Sequence, residues 1–154
     1  MKTFALIASL AAALLIGAGA VPAYAFDDSS NAEVNVDATD LGLRGYDPVS
    51  YISDGAPAIG SEDLTASQAD VTYRFASEAN PAQYVSQYGG FCQMGAALGK
   101  KLHGAPNVWR AENGMLFLYA YPAAKDGFLK DVAGNTEKAD TNWPLIKDKV
   151  PKDL

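Results

Sequence analysis

Residues Val108–Tyr119 read VWRAENGMLFLY, and the fold turns on the three residues at their centre. Asn113-Gly114 favours the positive φ angles of a type I′ turn, which joins two antiparallel strands with the right twist. Val108–Arg110 and Met115–Tyr119 flank the turn Glu112-Asn113-Gly114, so this stretch predicts a β-hairpin. Val71–Phe75 (VTYRF) alternates apolar and polar residues and predicts a further strand.

Around these strands the chain reads as helix and loop. Leu41–Tyr51 (LGLRGYDPVSY) sets Gly, Asp and Pro among apolar residues, the pattern of a turn that opens a compact unit. Residues 53–60, with two glycines and a proline, read as loop. Ser77-Glu78-Ala79-Asn80-Pro81 reads as the cap of a short helix running through Tyr84 to Gln87. Pro122 suits the first turn of a helix through Asp131, with Gly134-Asn135 ending it. Residues 136–146 then read as a final helix interrupted by Pro144. The expected class is α+β, a small single domain with a short antiparallel sheet or hairpin and several short helices.

The N-terminus reads as an address. Lys2 is followed by an apolar and small-residue run from Phe4 to Ala20, and Ala23-Tyr24-Ala25 offers a signal peptidase its small-x-small pattern. Residues 1–25 are therefore expected to be a signal peptide, residues 26–40 a flexible N-terminal lead-in, and residues 41–150 the domain. Gly17, Gly19 and Pro22 break the run and favour cleavage over a retained anchor. The expected product is periplasmic or secreted, with no membrane association after cleavage.

Charge and cysteine count narrow the function. Removing the first 25 residues, which carry Lys2 and no acid, takes the formal charge from −6 to −7 and leaves 129 residues. That acidity argues against nucleic acid as a partner. Cys92 is the sole cysteine, so no internal disulfide is available and the domain must stand on its core. His103 is the sole histidine. A two-imidazole copper centre, a two-histidine zinc helix, a Cys2His2 finger and a C-x-x-C dithiol are all ruled out on composition. No phosphate-binding loop or nucleophile elbow occurs either.

Cys92, Met94 and His103 remain as candidate metal ligands. Thiolate, thioether and imidazole together suit Cu(I) best and zinc next. If residues 91–94 are extended, Cys92 and Met94 share a face. The bland reading is that Cys92 is a buried small hydrophobe, that Met94 and Met115 fill the core, and that His103 is a solvated turn residue. A Cys92–His103 catalytic pair would need an orienting group such as Asn107, and no base–orienter pair stands out. The chain is not expected to be an enzyme. Asp47, in Gly-Tyr-Asp-Pro, reads as an Asx-turn former and not as a general base.

Three blocks together resemble one family. Gly45–Tyr51 (GYDPVSY), Thr72–Glu78 (TYRFASE) and Tyr84–Cys92 (YVSQYGGFC) are similar to the exported YHS-domain proteins. Further fits run through Leu98-Gly99-Lys100-Lys101, Pro106 with Trp109, Gly114 with Leu116, and Ala139-Asp140 with Asn142-Trp143-Pro144, so the likeness spans about Leu43 to Ile146. The resemblance implies metal binding, copper especially, with Cys92 at the family cysteine. His103 departs from the family pattern, and so does the short spacing between Glu78 and Tyr84. Two functions follow as expectations. The first is an exported module that handles a metal ion, copper ahead of zinc, through Cys92 with His103 and Met94, completed by a homodimer or a periplasmic partner. The second is a non-catalytic structural or interaction domain with an inert buried thiol.

Overall fold

The hairpin forms as its sequence predicts. β3 (Ala105–Glu112) and β4 (Met115–Tyr119) pair antiparallel, with Arg110 opposite Phe117 and Glu112 opposite Met115. Asn113 and Gly114 carry the positive φ angles, 53° and 74°. This computed structural model describes residues 29–68, 70–76 and 86–154. The expected signal peptide lies outside them, as does most of the short helix expected from Ser77 toward Gln87.

β4 is buried along Leu116, Phe117, Leu118 and Tyr119, and it separates two apolar clusters. On one side Leu116 and Leu118 join Val36, Leu43, Val49, Tyr51, Val71, Tyr73 and Phe75. On the other, Tyr119 joins Cys92, Ala96, Ala97, Ala124, Phe128 and Ala139. Strand alternation explains the division, because neighbouring residues of β4 point to opposite faces. Single bridges set residues 86–92 alongside β4, Ser86 on Leu116 and Cys92 on Leu118, both in the parallel sense.

A second antiparallel pair, β1 (Ser61–Gln68) with β2 (Val71–Phe75), covers the first cluster. β2 buries Val71, Tyr73 and Phe75 and turns Thr72 and Arg74 outward. β1 was not legible in the sequence: SEDLTASQ carries no apolar periodicity and is held by backbone pairing to β2.

The helices are α1 (Ser50–Ser53), α2 (Gln93–Ala97), α3 (Pro122–Leu129) and α4 (Val132–Ile146). The architecture is α+β, as the sequence predicts. Pro122 opens α3, where a missing N–H costs nothing. The expected break at Gly134-Asn135 is corrected: both residues lie inside α4. The chain breaks earlier, at Asp131, whose Oδ1 accepts the Gly134 N–H at 3.0 Å and caps α4. A side chain on Gly134 would collide with that carboxylate, so the glycine belongs to the cap.

Within the flexible lead-in expected over residues 26–40, the segment 34–37 is anchored to the domain. Asn35, Val36 and Asp37 are buried, and Val34 packs on the first cluster. Asn35 donates its backbone N–H to the Gly89 carbonyl at 2.6 Å and its side-chain amide to Gly90 O at 3.0 Å. Asp37 Oδ1 accepts from Thr39 N, Thr39 Oγ1 and Leu41 N. Polar residues are interior here because they satisfy buried backbone groups, which composition does not show.

Candidate functional site

Cys92 sits where an extended segment turns into α2. Its backbone is extended (φ −63°, ψ 119°) and its N–H donates to Leu102 O at 2.7 Å. Its side chain is 0% exposed, within the second cluster. Sγ accepts the Gly95 N–H at 3.4 Å and so caps α2. The thiol serves as a small apolar filler with one weak hydrogen bond.

His103 packs elsewhere. Phe91 and His103 form an antiparallel bridge, with ring centroids 5.7 Å apart, and Leu102, the residue before His103, is the one that packs on the cluster holding Cys92. His103 Nδ1 lies 2.7 Å from Asn35 Oδ1. The Asn35 amide nitrogen donates to Gly90 O and Gly104 O, which fixes Oδ1 as the acceptor and puts the proton on His103 Nδ1. The imidazole is a partly buried member of this network and not a solvated turn residue.

Met94 is the second residue of α2, so the period-two argument for a face shared with Cys92 does not apply. It packs on the second cluster, and its Cε would lie 4.0 Å from a Cβ placed on Gly127 of α3. Thus Cys92 and Met94 border one apolar cluster, while His103 belongs to another neighbourhood. Among the described residues no three His, Cys, Asp or Glu side chains gather as a metal-binding group. Of the donors expected for copper or zinc, Cys92 and Met94 meet at the second cluster, and His103 is bonded to Asn35. Asn107, the orienting group considered for a Cys92–His103 pair, is exposed on β3.

The remaining buried ionisable groups are tied to the scaffold. Asp47 Oδ1 accepts from Val49 N at 2.8 Å and Oδ2 from Ala76 N at 2.9 Å, the expected Asx turn extended to a second strand. Lys101, 2% exposed, donates Nζ to the carbonyls of Ala32, Lys147 and Lys149 at 2.8, 2.7 and 2.9 Å. The ammonium also lies 4.7 Å from the centre of the Phe91 ring. Burial lowers its pKa to about 8, against the raising influence of Asp148 and Glu33.

A third set of residues escaped the sequence reading. Gln93 is 0% exposed, and its Oε1 accepts the Tyr119 hydroxyl at 2.8 Å. Tyr88 donates its hydroxyl to Asp140 Oδ1 at 2.7 Å. Arg110 pairs with Glu112 at 2.7 Å and lies over Phe117. The available signal was a lone Arg facing inward between apolar positions of β3, and a Gln directly after the cysteine.

Among the described residues no helix is long and apolar enough to cross a membrane. Compared with known proteins, the chain matches no family model, no curated protein and no solved structure.

Proposed function

We propose that the chain is an exported YHS-type module that acts without catalysis, as a structural or protein-interaction domain. Cys92 is then an interior thiol. The observation that supports this reading is the enclosure of Cys92: the side chain is fully buried, Sγ is engaged with Gly95 N–H, and His103 Nδ1 is bonded to Asn35. Export accounts for the lone cysteine, since a thiol kept in an oxidising compartment needs shelter. Partner contact draws support from the helical layer, where Leu98, Tyr121, Leu129 and Leu145 are 61%, 55%, 42% and 66% exposed.

The rival is copper handling through Cys92, in the same compartment. One experiment separates the two. The mature chain and Cys92→Ala are titrated with Cu(I) under reducing conditions against a competing chelator, and the native thiol is probed with a colorimetric thiol reagent. The interaction reading expects equal Cu(I) uptake by both proteins and a thiol that reacts only after unfolding. Copper bound by the wild type and lost in Cys92→Ala would overturn it.

A further inference from the structure

The tip of the β3–β4 hairpin carries the chain's single Asn-Gly pair, and the fold presents it to solvent. Residues 111–115 are all exposed. A Cβ on Gly114 would meet nothing within 4 Å, so the space beside the glycine is open. Glu112 and Met115, paired across the hairpin, close the turn, and a turn of this type leaves the amide of its second central residue, Gly114 N–H, out of the closing bonds. Among the described residues the Asn113 carboxamide makes no hydrogen bond either. An amide nitrogen and a side-chain carboxamide thus stand next to each other at the tip, both uncommitted and both in water.

No other asparagine combines these features. Asn35 and Asn135 are buried, and their amides are bonded to Gly90 O and Phe128 O. Asn142 donates to the carbonyls of Ala96 and Ala97, each at 3.1 Å. Asn80 precedes Pro81, which has no N–H. Asn31 and Asn107 are exposed, but Ala32 and Val108 follow them, and a Cβ on the following residue crowds its nitrogen.

We propose that Asn113 is a site of spontaneous covalent modification, deamidation through a cyclic imide. Gly114 N gives up its proton and attacks Asn113 Cγ. A new C–N bond closes the ring, the old Cγ–N bond breaks, and ammonia leaves with that proton. Water, the one co-reactant, then opens the imide at either carbonyl. Opening at the main-chain carbonyl gives an isoaspartyl link, and opening at Cγ gives an ordinary aspartate at position 113. The turn sets the pace, because ring closure needs the backbone about Asn113 to rotate out of its closed form. The two products differ in consequence. Asp-Gly suits a type I′ turn as Asn-Gly does, so the aspartyl form keeps the hairpin. The isoaspartyl form routes the main chain through an extra methylene, which a two-residue turn between Glu112 and Met115 has no room for. Both forms place a new carboxylate beside Glu112, the partner of Arg110. Because β4 lies between the two apolar clusters, a loosened turn weakens both. The proposal makes no use of Cys92 and stands apart from the reading of the thiol.

The folded mature chain is aged in buffer at neutral and at mildly alkaline pH, beside a synthetic peptide of residues 108–119 as the open-chain reference. Peptide mapping by mass spectrometry is expected to find the mass gain of an NH-to-O exchange at Asn113 before any other asparagine. The gain should grow faster at the higher pH and more slowly in the folded chain than in the peptide. Asn113→Gly, whose Gly-Gly pair still suits the turn, is expected to lose the gain. Ion exchange separates the aged forms for thermal melting. Asn113→Asp is expected to melt with the wild type, and the isoaspartyl form to melt below both. An Asn113 that stays unchanged in the folded chain while the peptide converts would overturn the site, since the closed turn would then protect it. Earlier conversion at another asparagine would overturn it too, and an isoaspartyl form that melts with the wild type would overturn its consequence for the hairpin.

Discussion

Lys101→Met gives the sharpest test of how this domain is held together. The ammonium links Ala32 of the N-terminal segment to Lys147 and Lys149 at the end of α4, through three carbonyls at 2.7–2.9 Å. Methionine fills a similar volume and donates nothing. Hydrogen bonds from a charged donor contribute roughly 1.5–3 kcal/mol each, and the cost of burying the ammonium offsets part of that sum. The three carbonyls would also lose their partner. A net loss of about 3 kcal/mol is expected, a large share of the stability of a domain this size.

The assay is urea unfolding followed by tryptophan fluorescence, comparing midpoints at unchanged slope. A loss under about 1 kcal/mol would mean that solvent satisfies those carbonyls and that Lys101 does not hold the two segments together. A pH series adds a second reading. The folded-state pKa of Lys101 is lowered from 10.5 to about 8, so the unfolded chain binds more protons between those values. Stability should rise with pH across that window in the wild type, and Lys101→Met should lack this contribution.

Three further perturbations can be judged by the same unfolding measurements. Gly89→Ala places a Cβ against the Glu33 carbonyl at a residue with φ +59°, and should cost about 2 kcal/mol; a neutral result would mean that residues 33–35 do not lie on Gly89. Burial raises the pKa values of Tyr51, Tyr119 and Tyr73, the last from 10.0 to about 12. The folded chain then holds protons that the unfolded chain releases, so stability should fall between pH 10 and 12; tyrosinate absorbance that rises before unfolding would contradict this. Cys92→Ala removes a sulfur with no exposure and one weak cap, and should cost about 1–2 kcal/mol; a variant as stable as wild type would argue that Cys92 is not packed as described.

What the sequence disclosed followed the strength of each local rule. Asn113-Gly114 leaves a hairpin little choice, and Val71, Tyr73 and Phe75 alternate without interruption. β1 obeys no such rule, because most of its side chains are outward and only Leu64 and Ala66 pack on the first cluster. Gly134 misled because glycine inside a helix usually marks an end, whereas here it makes room for the Asp131 cap. Asn35 and Asp37 misled in the opposite direction, being polar by type but interior by hydrogen bonding. For the candidate site, sequence spacing could not tell which residue of the 102–103 pair would pack beside the thiol: Leu102 does, while His103 pairs with Phe91 and bonds Asn35.

The residues that carry the likeness to YHS-domain proteins make interior bonds. Asp47 fixes Val49 and Ala76, Ser50 Oγ donates to Asp47 O and accepts from Ala58 N, and Tyr51 donates its hydroxyl to Pro106 O at 2.9 Å. Tyr73 and Phe75 fill the first cluster, Gly89 admits the Glu33 carbonyl, and Cys92 caps α2. Each of these roles demands a particular residue type on packing grounds alone, with no ligand invoked. Those blocks are thus accounted for by packing and hydrogen bonding within this chain. Metal binding through Cys92 would require a fully enclosed side chain to be opened, at the expense of the second cluster.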